Sequence, residues 1–465
     1  MDKRFFDLNI QRVLEHWTVS EALREIIANA LDEQALTSTA EPEIFEDDQG
    51  RWHVRDYGRG LRYEHFTQNE DSEKLAKPNL VIGKFGVGLK DAMATFDRHG
   101  VTVEIRSCHS QITFESVAKH GFEDVLTLHA VVDDPTDAEM SGTEFAFSGL
   151  SRQDVDTAKG FFLKYSDDVE LEQTRYGSVL QREGTSARIY VNGLRVAEEP
   201  NFLFAYNITS LTKALRSALN RERSNVGRQA YSDRVKSILL ACSSPGVADV
   251  LAADLGRFAA GHNHDETTWL DVAVHACRVL NASEKVVFVT TDQLHFSAGL
   301  LARARGDGYR VVVVTDTVAQ KLPKLEDTEG SPLRDLSEYR EEWNRSFEYD
   351  FVAIENLTDG ERAVFALATP ILELLRAEAK RVREVLVSRT MRIGALDNEA
   401  VGVWEPETRR IIIKRDQLER AERFLGTLLH EVAHAFSGAP DVDEEFERAL
   451  TLLLGKTAVQ AARDS

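Results

Sequence analysis

The sequence predicts a multidomain chain that combines α+β and α/β construction, and three observations carry that expectation. Its 465 residues are 43% hydrophobic, enough to bury separate cores in about two to four domains. Alternating apolar segments follow an amphipathic helix in the first third: VTVEIRS from Val101, QITFES from Gln111 and GTEFAFSG from Gly142. These read as antiparallel strands. Farther on, KVVFVTTD and GYRVVVVTD are near-continuous apolar runs, the pattern of parallel strands buried on both faces. The expected divisions are residues 1–160, an α/β sandwich, residues 161–345, an α/β unit, and residues 346–465, a mainly helical segment.

The first helix begins after Thr18, which forms a capping box with Glu21. It places Ala22, Leu23, Ile26, Ile27, Ala30 and Leu31 on one face and Glu25, Asn29, Asp32 and Glu33 on the other. In ARIYVNGLRV, Asn192 and Gly193 supply the positive φ values of a two-residue hairpin turn. A helical region is expected from Leu211 to Ala241, then a strand, a helix near Leu300 to Arg305, and a second strand. Pro323 to Pro332 is acidic and proline-bounded, hence a surface loop. Beyond residue 350 the order is helix, hairpin in AVGVWEPETRRIIIK, and helices.

Bulk properties exclude several classes of function. The 56 Lys and Arg oppose 77 Asp and Glu, a net charge of −21, which disfavours attraction to nucleic-acid phosphates. Cys108, Cys242 and Cys277 are odd in number and lack metal-type spacing, so reduced thiols in a cytoplasmic chain are expected. The N-terminus lacks the apolar core of a signal peptide, and no run of about 20 apolar residues offers a membrane span.

Between Glu25 and Lys90 stand EIIANALD, DYGRG and IGKFGVGLK, in that order. Glu25 and Asn29 lie one helical turn apart, so a carboxylate and an amide project together, suited to activating water beside a magnesium ion. Asp56 ends WHVRD, where a buried carboxylate can accept the amino proton of adenine, and Gly58 and Gly60 let main chain approach the base. Gly83, Gly86 and Gly88 make a lid running into a helix whose amides hold phosphates, with Lys84 and Lys90 adding charge. Neither GxxxxGK[ST] nor a GxGxxG after a strand occurs.

At these residues the chain resembles the GHKL ATPases, which include gyrase B, the ninety-kilodalton heat-shock chaperones, histidine kinases and MutL. The resemblance implies a Bergerat fold binding ATP and magnesium, with Glu25 as general base, Asn29 as magnesium ligand, Asp56 as adenine contact and Thr143 in support. ALNRERSNVGR from Ala218 is similar to the chaperones' middle domain. It implies that Arg223 reaches the terminal phosphate, with Arg221 a second candidate.

A different chemistry closes the chain. AERFLGTLLHEVAHAF reads as a helix burying Phe424, Leu425, Leu428, Leu429, Val432 and Phe436, with His430 and His434 one turn apart. Two imidazoles so spaced can chelate zinc, and Glu431 between them can take a proton from metal-bound water. Gly438 and Pro440 stop the helix. On the following helix Glu445 stacks above Ala449 and Leu452, a face where an unpaired carboxylate is costly, which makes it the expected third ligand. That choice is similar to the gluzincin peptidases, whereas Asp441, one residue beyond the metzincin-type position, and Glu444 stay open. The second strand of the nearby hairpin is expected to pair with an extended peptide.

Together these features imply an ATPase that regulates a zinc-dependent peptidase acting on protein substrates. The alternative is a chaperone-like clamp whose HEVAH segment is structural. A nucleotide-dependent homodimer stays open, and a DNA clamp is disfavoured by the acidic charge.

Overall fold

The computed structural model describes residues 4–8, 17–66, 72–77, 79–82, 88–119, 122–219, 226–258, 261, 263–394 and 397–464. It is a mixed α/β chain with several sheets, and it divides into two compact units, Met1–Val279 and Leu280–Ser465. The first unit spans the sandwich and most of the α/β segment expected from sequence; the second joins the remainder to the helical end.

The first unit opens with a seven-stranded antiparallel sheet. Its strands are β1 (Arg4–Asp7), β2 (Glu43–Glu46), β3 (Trp52–Arg55), β4 (Thr102–Ser107), β5 (Gln111–Lys119), β6 (Phe122–Asp133) and β7 (Thr143–Ser148), in the order β1-β6-β5-β4-β7-β3-β2. Helices α1 (Val19–Thr37), α2 (Ser72–Ala76), α3 (Gly88–Arg98) and α4 (Arg152–Lys159) accompany it. The capping box at Thr18 is present, and Ser38 ends α1 in the left-handed region. Ala22, Leu23, Ile26 and Ile27 of α1, Met93 and Phe96 of α3, and Val155 of α4 share one core with Val103, Ile105, Phe145 and Phe147 of the sheet. Alternation along the strands turns one face to this layer of helices, as burial of apolar surface requires.

A second sheet contains β8 (Glu170–Thr174), β9 (Gly177–Leu180), β10 (Ala187–Val191), β11 (Leu194–Glu199) and β12 (Ala205–Ile208), ordered β11-β10-β12-β9-β8. Asn192 at φ 48° and Gly193 at φ 80° turn β10 into β11. The helices that follow are α5 (Lys213–Ala218), α6 (Ser232–Leu239), α7 (Pro245–Leu255), α8 (Asp265–Thr268) and α9 (Leu270–Ser283), the unit boundary falling within α9. All three cysteines are free.

In the second unit β13 (Val286–Val289) and β14 (Arg310–Val313) pair in parallel, as their apolar runs predict. Between and after them lie α10 (Thr291–Phe296), α11 (Ala298–Gly306), α12 (Asp316–Ala319), α13 (Leu336–Ser346), α14 (Asp359–Ala366) and α15 (Ala368–Leu374). A three-stranded sheet, β15 (Glu384–Ser388), β16 (Gly402–Glu405) and β17 (Arg410–Lys414), has the order β15-β17-β16. It packs with α16 (Ala421–Ser437) and α17 (Glu444–Asp464) around Val387, Ile411, Ile413, Phe424, Leu428, Val432, Phe446 and Leu453.

Two expectations change here. β17 is the central strand, bonded in parallel to β15 and antiparallel to β16, so its main chain has no free edge for a peptide; that edge belongs to β16. Phe436 is 40% exposed, because the buried stripe of α16 runs through Phe424, Leu428, Val432 and Ala435 and leaves position 436 on the outer side.

Candidate functional site

The described side chains singled out from sequence fall into two groups, one in each unit. In the first, the polar face of α1 is not a solvated surface. Glu25 is 2% exposed, and Arg24, equally enclosed, donates to its Oε1 at 3.1 Å while lying over the rings of Trp17 and Phe161. The other Glu25 oxygen faces the first residue of α3: a Cβ on Gly88 would stand 2.5 Å from Oε2. A side chain at position 88 would therefore push Glu25 away from the helix terminus. Asn29 accepts a bond from Lys74 Nζ at 3.1 Å, and Asp32, 1% exposed, accepts from the same ammonium at 2.7 Å. Glu33 accepts three bonds from Arg59, which also reaches Glu73.

Asp56 follows β3 and is 6% exposed. Its Oδ1 accepts the amides of Gly58 at 2.9 Å and Thr143 at 3.3 Å. Burial pushes its carboxyl up to about 6, with the charge of Glu33 adding to the rise and the two amides opposing it. Thr143 Oγ1 accepts the amide of Leu61 at 3.0 Å, which ties the loop after Gly60 to β7. Lys90 is half-buried in the first turn of α3. Gly83, Lys84, Gly86, Arg221 and Arg223 lie outside the described residues. The sequence reading missed Gly142, which holds φ 80° with its Cα facing the Asp56 carbonyl, and missed the cations Lys74 and Arg59 that gather the acids of α1.

The second unit brings three donor atoms together. His430 and His434 project from α16 with their Nε2 atoms 3.2 Å apart, and Asp441 Oδ1 lies 3.0 Å from one and 3.1 Å from the other. Gly438, at φ 71°, ends α16 by donating its amide to the His434 carbonyl, and this turn returns Asp441 to the histidines. His434 Nδ1 is 2.9 Å from the Ala439 carbonyl. A carbonyl can only accept, so Nδ1 carries the hydrogen of this contact, and the ring directs Nε2 toward His430 and Asp441. Three such atoms within 3.2 Å of one another suit a shared cation.

Zinc fits the triangle. Ligands about 2.0–2.1 Å from a tetrahedral zinc stand about 3.3 Å apart, within a few tenths of an ångström of all three separations. Phe446 backs the site, its ring 4.3 Å from that of His434 and 4.8 Å from that of His430. Burial lowers the His430 pKa, the neighbouring His434 adds to the fall, and Asp441 opposes it.

Glu445 does not join this cluster. It is exposed, and its amide donates to Asp443 Oδ1 at the start of α17. The buried stripe of that helix is Phe446, Ala449 and Leu453, whereas Leu452 is 44% exposed, so the phase of α17 turns Glu445 outward. The alternative Asp441 stands in its place.

Glu431 is 5% exposed. Burial pushes its carboxyl up to about 7, the amide of Trp404 pulls it down and the charge of Asp441 adds to the rise. Gly402 makes room for it, since a Cβ there would stand 2.9 Å from Glu431 Oε1. Lys414 donates to the Val401 carbonyl, and the alternation of an antiparallel ladder then turns the main chain of Gly402 and Trp404 to the free edge of β16. That edge, His430, Glu431, His434 and Asp441 line one cleft of about 1280 Å³. No helix among the described residues is long and apolar enough to cross a membrane.

A family model described as the Mycoplasma pneumoniae MPN635 N-terminal domain matches residues 153–245, the stretch from α4 through the second sheet to the start of α7. A Mycoplasma pneumoniae protein described as "Uncharacterized protein" is 38% identical over 241 residues, covering 51% of this chain and 96% of that protein. Another protein of the same organism, with the same description, is 23% identical over 347 residues, or 69% of this chain and 96% of its own length.

Proposed function

We propose a function for a chain that belongs to the family of the Mycoplasma pneumoniae protein it matches at 38% identity: a zinc-dependent peptidase in the second unit, regulated by an ATP site in the first. The observation that carries the reading is the convergence of His430 Nε2, His434 Nε2 and Asp441 Oδ1 within 3.0–3.2 Å of one another. Zinc held there would supply Lewis acidity for hydrolysis of a peptide bond. His430, His434 and Asp441 would hold it at the wall of the cleft. Glu431, buried at the wall of the same cleft and held by the Trp404 amide, would take up and return the proton that hydrolysis requires. Apart from the Trp404 amide that Glu431 takes, the outer edge of β16 offers main-chain groups to an extended peptide.

In the first unit, Asp56 is the adenine contact, and Glu25 beside the start of α3 is the base acting at the phosphates, with magnesium at Asn29. Lys74 fixes the Asn29 side chain that would hold the magnesium ion. What supports this half is a carboxylate kept buried at Asp56 and a second one facing a helix N-terminus, where phosphate is favoured.

The test is zinc content and peptide cleavage by the purified chain with and without ATP, alongside Glu431→Gln. One zinc per chain, cleavage abolished in the variant and altered by ATP are expected. A zinc-free, non-cleaving chain that still hydrolyses ATP would instead support the chaperone-like clamp.

A further inference from the structure

The cleft that holds His430 and His434 also holds two cations that the hydrolytic chemistry does not use. Arg381 ends a short 3-10 turn, Ala379–Arg381, and Arg409 precedes β17; both are exposed and both line the cleft. Arg381 Nη1 donates to the Ala435 carbonyl at 3.1 Å, one residue beyond His434. Arg409 Nε donates to the Arg381 carbonyl at 2.8 Å and its Nη2 to the Lys380 carbonyl at 3.0 Å. These acceptors are neutral, so they fix the two guanidinium groups in place without cancelling their charge, and most of the N–H donors remain for a ligand.

The surrounding charges point the same way. Among the described residues no carboxylate forms an ion pair with Arg381 or Arg409, whereas Arg410 is paired with Glu384 and Lys414 with Glu399 and Asp416. The acids of the cleft are already engaged: Glu399 by Arg303 and Lys414, Glu431 by the Trp404 amide, Asp441 at the histidines. Arg409 also adopts φ 59°, a left-handed conformation uncommon for a non-glycine residue. In a chain of net charge −21, two anchored and uncompensated guanidinium groups share the cleft of the metal ligands.

We propose that Arg381 and Arg409 form a carboxylate-recognition subsite of this cleft, so that the substrate is a peptide carrying an anionic group near the bond cut. The inference rests on the reading of the second unit as a metal-dependent peptidase. Strand β16 leads from Glu431, bonded through Trp404, to the turn that carries Arg409. A peptide pairing antiparallel to β16 lays its N-terminal side toward the arginines and presents an Asp or Glu side chain. One running parallel presents its C-terminal carboxylate.

The experiment uses the zinc-loaded full chain and, as probes, the peptide most cut from a mixed synthetic library, in two matched pairs. One pair has Glu or Gln on the N-terminal side of the cut; the other has a free or an amidated C-terminus. Binding of fluorescently labelled forms of the same pairs to Glu431→Gln gives the preference without turnover, and heptapeptides with the same substitutions serve if the library is not cut. At least one pair should favour the acid by about fivefold or more, as a gain of about 1 kcal/mol from partly exposed charges gives. In Arg381→Gln/Arg409→Gln that ratio should approach one. Because Arg381 also ties down the end of α16, Arg409→Gln alone is measured too and should lower the ratio about twofold. Acid and amide forms bound equally in both pairs, or a ratio untouched by the variants, would overturn the proposal. Absence of cleavage by the zinc-loaded wild type counts against the peptidase reading, and the binding ratio still decides the role of the arginines.

Discussion

Replacing Asp56 by Asn should make the protein more stable at neutral pH while removing nucleotide binding. Burial raises the pKa of this carboxyl from 3.8 to about 6, which corresponds to about 3 kcal/mol held against folding when the group is ionised. The folded state binds the proton more tightly than the unfolded chain does. Stability from this group is therefore greatest below pH 3.8, declines as pH rises from 3.8 to about 6, and is level above that. Asparagine keeps an oxygen to accept both the Gly58 and Thr143 amides and carries no charge. Urea titrations followed by tryptophan fluorescence, to which the buried Trp17 and Trp52 of the first unit contribute, should show Asp56→Asn more stable by about 2–3 kcal/mol at pH 7.5. The gap should shrink to about 1 kcal/mol or less at pH 4. ATP affinity of the wild type should rise with pH through about 6, since an ionised carboxylate is the better acceptor for an amine. A variant no more stable at pH 7.5, or a gap independent of pH, would refute the argument that burial of the charge sets this pKa.

Four further outcomes follow from the geometry. Asp441→Ala should weaken zinc binding by at least about a hundredfold, measured by chelator competition, whereas Glu445→Ala should leave it unchanged; the reverse result would return the third ligand to α17. Glu431→Gln should keep one zinc per chain yet lower peptide cleavage by about 10²–10⁴-fold, read from metal analysis and kcat/KM on one preparation. Gly88→Ala, whose methyl group would meet Glu25 Oε2 at 2.5 Å, should reduce ATP hydrolysis more than ATP binding, seen by comparing kcat with a calorimetric Kd. Gly142→Ala forces a Cβ to 1.9 Å from the Asp56 carbonyl at φ +80° and should lower stability by about 3 kcal/mol or more, measured by urea denaturation.

What could be read from sequence were the features set by neighbours along the chain. Thr18 and Glu21 cap α1, Asn192 and Gly193 turn a hairpin, and Gly438 stops α16, because each needs only a few consecutive residues. The apolar runs of β13 and β14 likewise announce a parallel pair. Partners distant in sequence were not legible. Strand β15 takes one side of β17 and leaves β16 at the edge, a choice set by packing in the second unit and invisible in the hairpin itself. Glu445 looked buried because Ala449 and Leu452 share its stripe, but Phe446 sets the phase of α17 by packing on the histidines. Lys74 and Arg59 went unnoticed because nothing in their own segments shows which acids of α1 they meet.

The aromatic ring of Phe446 touches both imidazoles from a helix that contributes none of the three donor atoms. Metal binding at the proposed site and anchoring of α17 should thus be thermodynamically linked: whatever loosens α17 would free the imidazoles to rotate, and filling the site would tighten the helix. Slower amide exchange along α17 on metal addition would report that linkage directly, even with no substrate in hand.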